Sequence, residues 1–194
     1  CVGIIGESGI GKTTLIHLLL GLLNPNSGDI IVNNKQKIDS LEKFSGIISY
    51  MPQDPIILDD TIIKNITFEN NEKNINFEKY ANALNQSNLD KVLNQLPKKD
   101  RTFIGENGIR LSGGQYKRIA LARTFYFEKK ILVMDEATNS LDPESEKYVM
   151  EQVNELKGKK TIIIITHKQN ILSNCDKIYK VEDKKINLMK EKKQ

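Results

Sequence analysis

Gly6-Glu7-Ser8-Gly9-Ile10-Gly11-Lys12-Thr13 sets two glycines, a lysine and a hydroxyl residue at the spacing Gly-x-x-x-x-Gly-Lys-Thr. That arrangement suits the capture of a polyphosphate. Glycines let the backbone turn tightly and bring amide N–H groups against phosphate oxygens. A helix opening at the lysine aims its positive end at the same oxygens. Lys12 then reaches the β and γ phosphates as a point charge, and Thr13 offers a hydroxyl to Mg²⁺. Gly6, Ser8, Gly9, Gly11 and Thr14 complete the candidate loop. A plain glycine turn with a surface lysine would also fit these residues, and an adenylate-type kinase would share them. The loop by itself therefore indicates a nucleoside triphosphate without naming a reaction.

Leu111-Ser112-Gly113-Gly114-Gln115 is a second candidate anion site, because a small hydroxyl residue and two glycines at a helix start expose backbone amides. One triphosphate has no use for two such sites in one chain. The two become compatible if copies meet head to tail, Ser112, Gly113, Gly114 and Gln115 of one facing the γ phosphate held by Lys12 of the other. A capped helix start without ligand is the plain alternative. Asp135-Glu136 follows the apolar run Ile131-Leu132-Val133-Met134, which would hold an acidic pair rigidly at a strand end; alone, it also reads as a solvated strand terminus.

With these segments in this order, the chain resembles the nucleotide-binding domains of ABC transporters over nearly its whole length. Gly6 to Thr13 looks like the Walker A loop, Leu111 to Gln115 like the signature and Ile131 to Asp135 like the Walker B strand. The resemblance implies ATP and Mg²⁺ as cofactors, with Thr13, Gln53 and Asp135 around the metal. It implies catalytic roles for Glu136 as the base that orients water, for Gln53 of the Q-loop and for His167 as the switch histidine. Asp142 in Ser140-Leu141-Asp142 resembles the D-loop aspartate that crosses the dimer interface, and it is also a plausible helix cap. His17 reads as structural. Glu106, in Ile104-Gly105-Glu106-Asn107-Gly108, resembles the acidic segment by which exporter domains sense the transmembrane partner. Thr61-Ile62-Ile63-Lys64-Asn65-Ile66 resembles the exporter pattern too. An exporter or a lipid or oligosaccharide flippase is thereby favoured over an importer. The implied partners are a second nucleotide-binding domain, as a homodimer, and a transmembrane domain fused upstream of Cys1; the implied place is the cytoplasmic face of the plasma (inner) membrane. Asn139 and Tyr116 depart from the usual family residues.

These residues need elements to hold them. Short β-branched runs alternating with helical periodicity predict an α/β fold, a P-loop NTPase core with a mostly parallel sheet. Strands are expected at Cys1 to Ile5, Asp29 to Val32, Ile47 to Met51, Ile131 to Met134, Thr161 to Thr166, Lys177 to Val181 and Lys185 to Leu188. The helix Thr13 to Leu22 is expected to turn Leu15, Leu18, Leu19 and Leu22 inward, and Asp142-Pro143 should open another. Residues 54–115 read as an inserted helical subdomain ending in the signature, with 1–53 and 116–194 as the RecA-like core of a single domain.

Composition adds bounds. The 194 residues are enough for a full core, and the net charge of +4 is concentrated in Lys157, Lys159, Lys160 and the lysine-rich tail, which reads as a solvated surface. No nucleic-acid partner is expected from it. A nucleic-acid-associated ATPase of the same family would insert a long coiled coil between Gln53 and Leu111, where this chain has only a short helical segment. A binding-only regulator would lack part of Lys12, Asp135, Glu136 and His167, all present here. Cys1 and Cys175 have no metal-ligand spacing, and neither a zinc site nor a disulfide framework is expected. The chain opens at Cys1 inside an apparent strand, from which a fragment is expected, its first antiparallel strands and an adenine-stacking aromatic lying upstream.

Overall fold

The computed structural model describes residues 1–32, 36–37 and 46–191. Its elements run β1 (Val2–Ile5), α1 (Lys12–Leu20), β2 (Ile31–Val32), β3 (Gln36–Lys37), β4 (Ile48–Met51), β5 (Asp60–Thr61), α2 (Ile62–Thr67), α3 (Phe77–Gln86) and α4 (Asp90–Leu93). There follow β6 (Phe103–Ile104), α5 (Gly113–Tyr126), β7 (Ile131–Asp135), α6 (Pro143–Glu155), β8 (Thr161–Ile165), α7 (Gln169–Leu172), β9 (Lys177–Glu182) and β10 (Lys185–Glu191). The expected parallel sheet is present: six strands in the order β10-β9-β1-β8-β7-β4, parallel at every pairing except β9 with β10.

This order places chemistry at one edge. In an open parallel sheet, ligands bind beyond the carboxyl ends of the strands where the order reverses. β1 lies between β8 and β9, so the loop that follows it opens at such a point. Gly6 follows β1, Gln53 follows β4, Asp135 ends β7 with Glu136 directly after it, and His167 follows β8. The buried strands need no polar face, which is why β7 and β8 read as almost continuous aliphatic runs.

Apolar packing covers both sheet faces. Ile16 of α1 packs with Ile4, Val133, Ile165 and Val181. On the other face Leu121 and Phe125 of α5 and Val149 and Val153 of α6 meet Leu132, Met134, Ile162 and Ile164. A separate cluster joins Ile62, Ile63 and Ile66 of α2 to Tyr80, Leu89 and Ile104, and to Ile119 and Ala122 of α5. α5 thus presents one stripe to the sheet and another to the helices of 62–93. Local chemistry starts the helices: Asn76 Oδ1 accepts from Lys79 N at 3.0 Å, and Asp142 Oδ1 accepts from Ser145 N at 2.9 Å with Pro143 in the first turn.

Several expectations need correction. The most buried apolar residue of α1 is Ile16, with the expected Leu15 packed partly buried against the same cluster, whereas Leu19 is 40% and Leu22 62% exposed. The helix ends at Leu20 because Gly21 takes a left-handed conformation, so Leu22 leaves the helical face. The strand expected at Asp29 to Val32 is only Ile31–Val32, and β10 runs to Glu191 rather than Leu188. Between residues 54 and 110 the chain is not purely helical, since β5 and β6 form a short antiparallel pair. Parallel pairing of β1 with β9 also brings Cys1 Sγ to 3.7 Å from Cys175 Sγ, a proximity hidden by their separation along the chain.

Asn65 organises the turn into α2. It is fully buried; its Oδ1 accepts from Leu58 N at 2.7 Å, while its Nδ2 donates to the carbonyls of Leu58 at 3.0 Å and Thr61 at 3.1 Å. Asn65→Ala strands these backbone groups in the interior, and we expect a loss of about 2–3 kcal/mol in unfolding free energy by urea titration. A loss under about 0.5 kcal/mol would mean that water replaces the amide there.

Candidate nucleotide site

The loop between β1 and α1 is shaped by its glycines. Gly9 (φ 78°) and Gly11 (φ 103°) hold left-handed conformations that other residues adopt only with strain. A Cβ on Gly6 would come within 2.7 Å of the Val181 carbonyl of β9, so close strand packing also requires glycine there. No side chain caps the start of α1 and its first turn carries no acidic residue, which leaves the helix's positive end open. Lys12, 9% exposed, donates from Nζ to the carbonyls of Gly6 at 2.9 Å and Glu7 at 2.7 Å.

A cavity of about 160 Å³ opens beside this loop. Ser8, Gly9, Gly11, Lys12, Thr13 and Thr14 form one wall, and Gln53, Asp135 and Glu136 the other. Thr13 Oγ1 donates to Asp135 Oδ2 at 3.0 Å, joining residues 122 positions apart. Burial raises the Asp135 carboxyl above its usual range; the Glu136 charge adds to this, while the Thr13 hydrogen bond and the Lys12 charge oppose it. Tyr50 stands nearby, its hydroxyl pushed up to about 12 by burial first and then by the Asp135 carboxylate. His17, expected to be structural, meets Tyr50 edge to face at 6.0 Å and through Nε2 at 3.4 Å from the hydroxyl.

The donor set suits a polyphosphate carrying Mg²⁺. Open amides and a lysine face the cavity, and among the described residues no group of three or more His, Cys, Asp or Glu side chains could cage a metal by itself. Mg²⁺ favours such sparse sites, keeping waters and phosphate oxygens in its shell. Thr13, Asp135 and the exposed Gln53 are the residues able to hold it.

Glu136 sits at φ 46°, left-handed, immediately after β7. Its N–H donates to the Ile165 carbonyl at 3.0 Å, and Asn139 Nδ2 donates to its Oε2 at 2.7 Å. His167, 66% exposed at the side chain, has Nδ1 3.9 Å from Glu136 Oε1. Lys117 of α5, only 8% exposed, donates from Nζ to the Glu136 carbonyl at 3.1 Å. Burial lowers the Lys117 ammonium below the ordinary lysine value, against the carboxylates of Asp54, Glu136 and Asp135, which favour its charge.

The Leu111 to Gln115 segment lies elsewhere. Ser112 N donates to Gln115 Oε1 at 2.8 Å and Gln115 N to Ser112 Oγ at 3.3 Å, a reciprocal capping box at the start of α5. Gly114 is required sterically, since a Cβ would come within 2.8 Å of the Ser140 carbonyl. Ser112, Gly113, Gly114 and Gln115 line a cavity of about 640 Å³ with Arg118 and Asp142, and this cavity shares no lining residue with the one beside Lys12. Asp142 accepts from Arg118 Nη2 at 2.7 Å; its bonds from Ser145 hold its carboxyl below the usual range, with Arg118 adding to the effect. A third cavity, about 730 Å³, is bounded by Asp54, Ile57, Glu106, Arg110, Tyr116 and Lys117.

One chain thus brings together Lys12, Thr13, Gln53, Asp135 and Glu136, with His167 beside them, and holds the signature apart. Sequence reasoning missed Lys117 and the Asn139 contact. The available signal was a lysine two positions after Gln115 and two before the run Ile119, Ala120 and Leu121, all buried. The family model described as ABC transporter matches residues 1–139. An ATP-dependent lipid A-core flippase of Ralstonia nicotianae is 36% identical over 95% of this chain and 32% of its own length. ABC transporter B family member 13 of Arabidopsis thaliana is 36% identical over 94% of this chain and 14% of its own. The structure of a bacterial Atm1-family ABC exporter with ATP bound superposes with a TM-score of 0.84 at 30% identity, over 94% of this chain and 32% of that one. The chain spans about a third or less of the length of these relatives. Its cradle, its acidic strand end, its signature and its resemblance to these exporters support one conclusion: the chain belongs to the ABC transporter family.

Proposed function

We propose that this chain is the ATP-hydrolysing domain of an exporter, of the class that moves lipids or lipid-linked oligosaccharides, and that it works as a head-to-tail dimer around two ATP molecules. The observation carrying this reading is the division of labour within one chain: a phosphate cradle at Lys12 and a glycine-rich helix start at Ser112 that share no cavity wall. Two copies would make each site whole. The names of the relatives, a lipid A-core flippase and an ABC exporter with ATP bound, favour the exporter class.

In this reading the amides of Gly9 to Thr13 bind the phosphates, and Lys12 exchanges its bonds to the Gly6 and Glu7 carbonyls for phosphate oxygens. Mg²⁺, when bound, would supply positive charge against the charge that develops on the phosphate oxygens. Thr13, Asp135 and Gln53 would hold that ion. Glu136 accepts a proton from the attacking water, and His167 approaches the γ phosphate beside it. Asp142 and the Ser112 to Gln115 helix start act on the partner copy's nucleotide. Residues 54–115 serve as a helical subdomain, and Glu106, on the wall of the large cavity, faces the membrane-spanning partner. That partner is assigned to the same polypeptide because the relatives are about three times longer. In the same reading, the membrane-spanning partner would hold the domain at the cytoplasmic face of the inner membrane; among the described residues no helix is long and apolar enough to cross a membrane.

Mixing two disabled variants tests the composite site. Lys12→Ala spoils a chain's own cradle, and Ser112→Arg blocks the site it completes on its neighbour. Each alone should be nearly inactive, while an equal mixture restores one intact site per mixed dimer and about a quarter of the wild-type rate, from simple association statistics. A mixture as inactive as its parts would show that the site lies within one chain.

A further inference from the structure

Glu136 is held by side chains that belong to none of the recognised motifs. Its left-handed backbone costs roughly 1–2 kcal/mol for a residue with a Cβ and persists only where neighbours hold it. The N–H is tied to β8 through Ile165. The carbonyl receives two donors, Lys117 Nζ at 3.1 Å and Asn139 N at 3.1 Å. Among the described residues the carboxylate is engaged at one oxygen, Oε2, by Asn139 Nδ2. Oε1 is left facing His167 Nδ1 at 3.9 Å, outside hydrogen-bond range.

We propose that Lys117 and Asn139 are positioning residues for Glu136: Lys117 fixes the peptide from the signature helix, and Asn139 occupies Oε2 so that Oε1 is the oxygen that takes the proton of water. This rests on the reading of Glu136 as the base. Packing alone does not account for Lys117, because an unbranched apolar side chain would fill the same space without desolvating an ammonium. Nor does helix stability, since the side-chain hydrogen bond it makes among the described residues leaves the helix for the Glu136 carbonyl. Lys117 also forms part of the wall that holds Asp54 and Glu106, so that wall reaches the base through one side chain. For Asn139 the direction of donation carries the argument. A neutral amide donates a hydrogen bond to a carboxylate without competing for the water's proton, and it does so within a turn whose backbone, Asn139 N to Glu136 O, already sets its place.

The test measures kcat and KM for ATP hydrolysis by the full chain carrying Lys117→Met, Lys117→Gln, Asn139→Ala, Asn139→Asp or Glu136→Gln. Lys117→Met and Asn139→Ala should each lower kcat about tenfold with KM for ATP within about twofold of wild type, the signature of an interaction that matters in the transition state. Lys117→Gln keeps a donor at shorter reach and should fall between Met and wild type; it also serves if the Met variant does not fold. Asn139→Asp keeps the shape but sets a carboxylate against a carboxylate, so it should be slower than Asn139→Ala. A role in shape alone reverses that order and overturns the proposal, as would rates within twofold of wild type for both Lys117→Met and Asn139→Ala. If Glu136→Gln itself hydrolyses at the wild-type rate, the failure lies in the reading of the base, and this inference falls with it.

Discussion

Glu136→Gln should lower steady-state ATP hydrolysis by roughly 10²- to 10³-fold while leaving ATP affinity within a few-fold of wild type. The substitution keeps the shape and the left-handed backbone, and the amide can still face Asn139 and His167. It removes only the ability to accept a proton, which is why the loss should appear in kcat. Asp135 cannot substitute. It is 1% exposed and engaged by Thr13, in a place suited to an ion rather than to a water in line with the γ phosphate. Rapid-quench measurement of a single turnover, beside equilibrium binding of a fluorescent ATP analogue, separates the two quantities. Wild-type turnover in the variant would remove Glu136 from the mechanism, and loss of binding would place it in the cradle instead.

Lys12→Ala should weaken ATP binding by roughly 30- to 100-fold, the loss expected for a charge-assisted contact to phosphate. The effect should shrink for ADP, which lacks the γ phosphate that Lys12 shares with the β phosphate. The variant also releases the Gly6 and Glu7 carbonyls from their present donor. Those groups are tied down from inside the loop, so the thermal midpoint should be read alongside the affinity. A loop that merely collapses would lose ATP and ADP equally, whereas a missing cation penalises the triphosphate more. Equal affinity for ATP in variant and wild type, measured by calorimetry, would remove Lys12 from the phosphate site.

Much of the site is legible along the chain because its parts are local. Tight turns with left-handed glycines, a hydroxyl residue that caps a helix and an aliphatic run ending in two acids each place their groups within a few residues. Gly9 and Gly11 are left-handed, Ser112 and Gln115 close a capping box, and Asp142 caps α6, as local chemistry predicts. The strand and helix sequence of an α/β sheet is also local, since it follows from short-range periodicity. Periodicity was less reliable near helix ends: Leu22 has the spacing of a buried residue and is 62% exposed, because Gly21 turns the chain out of the helix.

Other features depended on register between distant strands. Thr13 meets Asp135 because β1 and β7 both flank β8, and nothing near either residue announces the other. Cys1 finds Cys175 in the same way. Asn65 and Lys117 are polar residues whose spacing suits a solvated face, yet both are buried, each satisfied by backbone carbonyls that the folded chain brings to it. The sequence by itself determined which groups could bind a triphosphate and activate a water, since residue type and local backbone geometry suffice for that. Only the tertiary structure decided which of them share a cavity, which carboxylate oxygen of Glu136 is engaged and which lysine reaches it. The cavity and the Lys117 contact join atoms brought together by sheet order and helix packing, the Asn139 contact follows from the turn that closes β7, and the free energy that selects them belongs to the whole core.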